Sequence, residues 1–143
     1  MKILIIVHLE PDFEATAGSL QNLVDKVMNY SKNFDRVINI TSAEVLTGTE
    51  PFPELMKFRS EEWIWGFDAD YYVENEPEKW IEGKNYIETT GHPHSEILDW
   101  MYELPKYSNY VCVGGSRFEC LQDVYEILQH LNYKVKIKES LTY

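Results

Sequence analysis

The amino-acid sequence predicts an α/β protein, a three-layer α/β/α arrangement around a Rossmann-like parallel sheet. Apolar strand-like runs alternate with stretches of helical periodicity, an order typical of parallel sheets with right-handed helical crossovers. The first run, KILIIVHL, is almost unbroken in apolar residues and rich in isoleucine, as in a strand covered on both faces. We therefore expect this strand near the middle of the sheet.

The length and charge of the chain limit its number of domains, its partners and its cellular compartment. Its 143 residues, 44% of them hydrophobic, suit one domain that spans 1–143. The formal net charge of -11 repels phosphate backbones and anionic membrane surfaces, so we expect neither nucleic acid nor a membrane as partner. The first apolar run is too short for a membrane span and lacks a signal-peptide cleavage site, which predicts a cytoplasmic protein. A homo-oligomer is compatible with the sequence.

Five strands are predicted. In chain order they are Lys2–Leu9, Arg36–Ile40, Asn85–Thr90, Tyr110–Gly115 and Lys134–Ser140. In the last strand, lysines alternate with Val135 and Ile137, a pattern by which an edge strand avoids further pairing.

Three helices are predicted between these strands. The first is expected to be capped by Ser19. Its buried residues recur at steps of three and four, namely Leu20, Leu23, Val24, Val27 and Met28. The second helix begins at Ser95. The third begins just after Ser116, which forms with Glu119 the S-x-x-E spacing of a capping box.

The segment at about 47–83 interrupts this alternation. It combines many carboxylates with many aromatic residues, and only Pro53–Trp63 has a modest helical pattern. One interpretation is an irregular excursion whose aromatic side chains complete the core. The other, compatible with the first, is a lid over the carboxyl ends of the strands, where open α/β sheets bind ligands.

Cys120 is the residue whose chemistry the sequence leaves open. It lies in or beside the first turn of the third helix, where unpaired backbone N–H groups and the helix dipole favour a thiolate. The alternative is that Cys120 only starts the buried face of this helix. That face continues in Leu121, Val124, Ile127, Leu128 and Leu131. Cys112 lies inside a strand, and no disulfide is predicted between the two cysteines.

The residues around this cysteine resemble the isochorismatase-like cysteine hydrolases, a family that includes nicotinamidases. Gly114 precedes Cys120 at a strand-to-helix turn, and Tyr133 and Val135 enter the next strand at a similar spacing. The opening IIVHLEPDF, followed by GSL, is also similar to the family's first strand and its Asp-Phe pair. The resemblance in element order covers nearly the whole chain. It implies the same fold and hydrolysis of an amide or related bond in a small molecule.

The resemblance also implies roles for individual residues. The nucleophile, which would form a thioester, corresponds to Cys120. The oxyanion hole corresponds to the backbone N–H groups of Ser116 and Cys120, with a cis peptide bond between Gly115 and Ser116. Substrate-binding positions fall on Phe13, Gly115 and Phe118, and the alternative for Phe13 is ordinary core packing.

Two catalytic positions depart from the family pattern. The family's aspartate at the end of the first strand corresponds to His8, and its lysine at the end of the third strand falls near Glu88 or Thr89, where this chain has no lysine. A Cys-His arrangement could replace the missing pair, with His8 as the base for Cys120 and Glu88, Glu10 or Asp12 to orient it. The alternative is that His8 is an ordinary buried residue in an inactive pocket.

The last candidate site in the sequence is a zinc site. His92 and His94 have H-x-H spacing and, with His8, could bind Zn²⁺. The family's metal ligands come from the loop after the second strand, which contains no histidine here. The simpler interpretation of GHPHSE is a turn into the helix at Ser95, so we expect no cofactor.

Two functions follow from these observations. One is a cysteine hydrolase that acts on a small molecule through Cys120. The other is a catalytically silent member of the fold that serves as a ligand-binding or protein-interaction module, with the segment at 47–83 as a contact surface.

Overall fold

The computed structural model describes residues 1–14, 18–41, 52–62 and 103–143, with the backbone alone at 12, 59–62 and 130. The chain divides into two compact units, Met1–Glu62 with Pro105–Tyr143 and, separately, Trp63–Leu104. Nearly all of the described residues belong to the first unit, whose fold is given below. The single domain predicted for 1–143 stays a prediction.

The described elements alternate between strand and helix. The strands are β1 (Lys2–Val7), β2 (Arg36–Thr41), β3 (Arg59–Glu62), β4 (Asn109–Gly114) and β5 (Lys134–Thr142). The α-helices are α1 (Gln21–Ser31) and α2 (Cys120–His130), and short 3₁₀ turns cover Pro11–Phe13 and Pro53–Leu55.

The described strands form one parallel sheet in the order β3-β2-β1-β4-β5. The α/β fold class and the central position of the first strand are both confirmed. All side chains of β1 after Lys2 are buried, as expected of a strand covered on both faces. The strand order reverses between β1 and β4, and this reversal is the position at which open α/β sheets form a crevice.

Helix α1 covers one face of the sheet. Its Val24 and Val27 are fully buried and pack against Leu4 and Ile6, the even-numbered residues of β1. The same cluster also contains Leu9, Leu20, Phe52, Leu55, Val111, Val113 and Leu141. Asn39 of β2 is in register with Ile6 and is buried, and its Oδ1 has no hydrogen-bond partner within the described residues.

Helix α2 packs on β1, β4 and β5 from the other face. Its fully buried side chains are Leu121, Val124, Ile127 and Leu128. Ile5 and Cys112, which are in register on β1 and β4, point to this second face because side chains alternate along a strand. One helix on each face makes the described sheet the middle of three layers.

Several predicted element boundaries are wrong. Neither Ser19 nor Ser116 caps a helix, because α1 and α2 begin at Gln21 and Cys120 without a side-chain cap hydrogen bond. The helical pattern predicted over Pro53–Trp63 is, in its described part at 53–62, a 3₁₀ turn followed by β3, which pairs with β2.

Other predicted elements fall outside the described residues. These are the strand at Asn85–Thr90, the helix from Ser95 and most of the segment at 47–83. The lysine-rich strand β5 lies at one edge of the described sheet, as expected. Within the described ranges, no helix is long and apolar enough to cross a membrane.

Candidate functional site

The candidate site lies where the carboxyl ends of β1 and β4 meet. Val7 is paired with Gly114, and the N–H of Gly115 donates to the carbonyl of Val7 at 2.9 Å. Gly114 has a φ of +100°, and a Cβ there would lie 2.2 Å from the Val7 oxygen. Only glycine allows this close approach of the two backbones. The approach brings the residues after β1 beside the turn after β4.

His8 directly follows β1 and turns the chain. Its φ of 44° lies in the left-handed region, which costs a non-glycine residue roughly 1–2 kcal/mol. Its N–H donates to the carbonyl of Ile40 at 2.9 Å, which continues the β1-β2 pairing. The side chain is 3% exposed, and its ring stacks on Phe13 with centroids 5.7 Å apart.

Tyr143 bonds to the turn at His8 and to the end of β4. Its hydroxyl donates a short hydrogen bond to the carbonyl of His8, and its N–H donates to the carbonyl of Gly114 at 3.0 Å. The ring lies directly over Gly115, where a Cβ would be 2.6 Å from the ring carbons. Its centroid is 6.4 Å from that of Phe13. Sequence reasoning missed Tyr143, because a single aromatic residue after an edge strand belongs to no motif.

The turn between β4 and α2 holds the expected backbone feature. The Gly115–Ser116 peptide bond is cis, as the resemblance implied. The carbonyl of Ser116 accepts from the N–H groups of Glu119 and Leu121, both at 3.1 Å. Cys120 is the first residue of α2, so its predicted position in the first turn is confirmed.

The environment of the Cys120 thiol opposes a thiolate. The residue is only 9% exposed, and burial, followed by the carboxylates of Asp123, Glu119 and Glu10, raises its pKa to about 12. The dipole of a helix stabilises a thiolate at its start by about 1 kcal/mol, which would lower the thiol pKa by less than one unit, since one pKa unit corresponds to about 1.4 kcal/mol. The effect of burial on the thiol pKa is therefore larger than that of the helix dipole, and the thiol is protonated at neutral pH.

The phenol of Tyr143 belongs to the same environment. Burial raises its pKa, with further contributions from Glu10 and from the Cys120 thiol. Glu10 is itself buried. The described core of the site is thus a buried cluster in which one carboxylate acts on both a thiol and a phenol.

The rim of the site is more polar. Arg117 forms two hydrogen bonds to the Glu139 carboxylate, at 2.8 and 2.7 Å, and a third to Gln122 at 2.6 Å. Its backbone N–H donates to the carbonyl of Tyr143 at 2.6 Å. The pair with Arg117 lowers the pKa of Glu139. Phe118, a predicted substrate-binding residue, is 82% exposed, with the Arg117 guanidinium 4.8 Å from its ring.

The predicted site residues separate into three groups, one of which is Phe118 alone, exposed at the rim. Those at the ends of β1 and β4 come together, and they are His8, Phe13, Gly115, Ser116 and Cys120. Glu88, His92 and His94 lie outside the described residues. Within the described part of the chain, no group of three His, Cys, Asp or Glu side chains could hold a metal ion.

Fold and site together define a parallel α/β fold in which a buried cysteine starts the helix that follows β4, one of the two strands between which the strand order reverses. No family model matches the chain, and no significant match is found among curated proteins or solved structures. The resemblance to the isochorismatase-like hydrolases therefore rests on the residues quoted for it.

Proposed function

We propose that this chain is a catalytically silent α/β domain that serves as a binding module, with its crevice closed by its own Tyr143. The observation that carries the proposal is the position of the Tyr143 ring, which lies against Gly115 at the place where the resemblance puts bound substrate. A substrate could not contact Gly115 while the ring is there.

The chemistry of the thiol supports the same conclusion. A cysteine nucleophile attacks as the thiolate, and nucleophilic cysteines lie near cations that lower their pKa. The charged groups that act on Cys120 include Asp123, Glu119 and Glu10, all of which raise its pKa. At a pKa of about 12, the thiolate fraction at neutral pH is below about one in ten thousand.

The His8 side chain fits a packing role. Its ring is buried and stacked on Phe13 with an interplanar angle of 8°. Its backbone is bonded on both sides, to Ile40 and to Tyr143, so that the residue ties β1 to two other parts of the sheet. These contacts account for a buried planar ring here without a catalytic function.

A cysteine hydrolase is the second candidate. It is favoured by the position of Cys120 at the start of α2, next to the carboxyl end of the strand that leads to His8. In that case Tyr143 would have to leave Gly115 before substrate binds, and His8 would have to lower the thiol pKa.

Alkylation of the thiol by iodoacetamide separates the two candidates. For the silent module, we expect Cys120 at pH 7.5 to react at least about tenfold more slowly than free cysteine, because thiolate is scarce and access is restricted. His8→Ala should change the rate by less than about twofold. Tyr143→Ala should accelerate it, since the Tyr143 phenol and the thiol belong to one buried cluster that loss of the ring would open, whereas Tyr143→Phe should not.

Cys120→Ser is the control, since it leaves only the fully buried Cys112. Rapid alkylation at neutral pH that His8→Ala slows by about tenfold would overturn the proposal in favour of the hydrolase. The module is proposed to act in the cytoplasm, because both cysteines are free and reducing compartments keep thiols in that state. Its partner is a small-molecule ligand or another protein, and no cofactor is required.

A further inference from the structure

A second concave site lies at the opposite, amino-terminal edge of the sheet. It is a cavity of about 500 Å³. Its floor includes Lys2, Asn109 and Lys134, which are in register across β1, β4 and β5. Val111 and Lys136, also in register, lie two residues further along and therefore face the same side.

The end of α1 provides the wall of the cavity. Tyr30 and Phe34 line it with their rings in an edge-to-face arrangement, with centroids 5.1 Å apart. Asn33 lies between them in sequence, and its amide donates to the carbonyl of Tyr30 at 3.0 Å. The Lys138 ammonium is 5.8 Å from the Tyr30 ring. Cationic and aromatic groups thus border one space.

The charge of this cavity opposes that of the whole chain. The net charge is -11, yet the charged side chains that line the cavity within the described residues are three lysines. Asp35 is close by, and its carboxylate accepts a hydrogen bond from the backbone N–H of Lys2 at 2.7 Å. Protection of an edge strand explains Lys134 and Lys136, but it does not explain Lys2, because β1 is central.

We propose that this cavity binds the phosphate ester of an aromatic molecule, of the class of a nucleoside monophosphate. Strands are about 4.8 Å apart, so the Cα atoms of Lys2 and Lys134 are separated by about 10 Å, and their long side chains can converge on one phosphate. Three ammonium groups match a dianion better than a carboxylate, and lysine is a common phosphate ligand. The Tyr30 and Phe34 rings would contact the planar group.

The size of the cavity agrees with this ligand class. Small-molecule sites typically occupy about 300–1,000 Å³ and combine apolar walls with a few polar groups that fix orientation. Asn109 and Val111 provide one polar and one apolar side chain on the floor. The inference goes beyond the proposed function and does not depend on the state of Cys120.

Isothermal titration of the full chain with adenosine monophosphate, adenosine and inorganic phosphate tests the proposal. We expect the monophosphate to bind with a Kd below about 1 mM, and each of the two fragments to bind at least about tenfold more weakly. Lys136→Glu should weaken binding of the monophosphate by at least about tenfold, and Tyr30→Ala should weaken it without affecting phosphate. Circular dichroism confirms that each variant is folded.

Lys57→Glu is the matched control, because it makes the same charge change at an exposed lysine that does not line the cavity. It should change the Kd by less than about twofold. The proposal is overturned if the monophosphate does not bind, if phosphate alone binds as tightly, or if Lys57→Glu weakens binding as much as Lys136→Glu. None of these outcomes bears on thiol alkylation, so this inference and the proposed function fail separately.

Discussion

Replacing Gly115 with alanine tests where the Tyr143 ring lies in solution. The added Cβ would be 2.6 Å from two ring carbons and 2.7 Å from a third, about 1 Å closer than van der Waals contact. Overpacking of this kind costs about 1–3 kcal/mol, and we expect about 2 kcal/mol for Gly115→Ala. In a Tyr143→Ala background the ring is absent, so the same substitution should cost less than about 0.5 kcal/mol.

Gly114→Ala is the control for this cycle. Its Cβ would meet the backbone oxygen of Val7 at 2.2 Å, in a backbone conformation with φ of +100°, and no side chain can move to relieve the contact. We expect a loss of at least about 3 kcal/mol in both backgrounds. Urea unfolding followed by circular dichroism measures all of these free energies. If Gly115→Ala costs the same with and without Tyr143, the ring does not cover Gly115 and the closed crevice is wrong.

Three further predictions concern stability. Tyr143→Phe removes the hydrogen bond to the carbonyl of His8 and should lower the free energy of unfolding by about 1–2 kcal/mol, seen as a fall in Tm of about 3–6 °C. Burial raises the pKa of Cys112 and of Cys120 to about 12, whereas unfolded thiols titrate near 8.5. The folded chain therefore holds more protons between these values, and the thiols' contribution to stability should be constant below pH 8.5 and fall above it, with a slope of up to about 1.4 kcal/mol per pH unit for each thiol. Cys120→Ser should reduce that slope, and an unchanged slope would contradict the burial of this thiol. Asn39→Leu should raise the free energy of unfolding by about 1 kcal/mol, since it removes a buried amide oxygen without a hydrogen bond; a loss in urea unfolding would indicate that the amide is paired.

The strands that position the site could be predicted from sequence because strands buried on both faces consist almost entirely of apolar residues. The run KILIIV is apolar at every position after Lys2, which distinguishes a strand covered on both faces from one with a solvated face. Strand β3 has the sequence RSEE, which has low strand propensity, and it is a strand because its backbone pairs with β2. This pairing cannot be predicted from the residues of β3 themselves.

The chemistry of the site could not be predicted from sequence spacing, because it depends on burial, on neighbouring charges and on backbone hydrogen bonds. The position of Cys120 at a helix start was predictable, but the pKa of its thiol depends on its depth and on the three carboxylates around it. The Ser116–Glu119 spacing is that of a capping box, yet Glu119 donates its own N–H to the Ser116 carbonyl and the helix begins one residue later. At Cys120, burial and nearby carboxylates outweigh a local preference of about 1 kcal/mol, and at Ser116 a local backbone turn stands in place of the side-chain cap.

The hydroxyl of Tyr143 reaches the carbonyl of His8 across 135 positions of the sequence. Contacts so distant in the chain form late in folding, because loop-closure entropy is lost before they contribute any stability. During synthesis from the amino terminus, His8 and Cys120 both emerge before Tyr143, which completes the buried cluster around them. The thiol therefore passes through a period in which it is accessible to oxidants, and a refolding chain pulsed with iodoacetamide should take up label at Cys120 that the native protein does not.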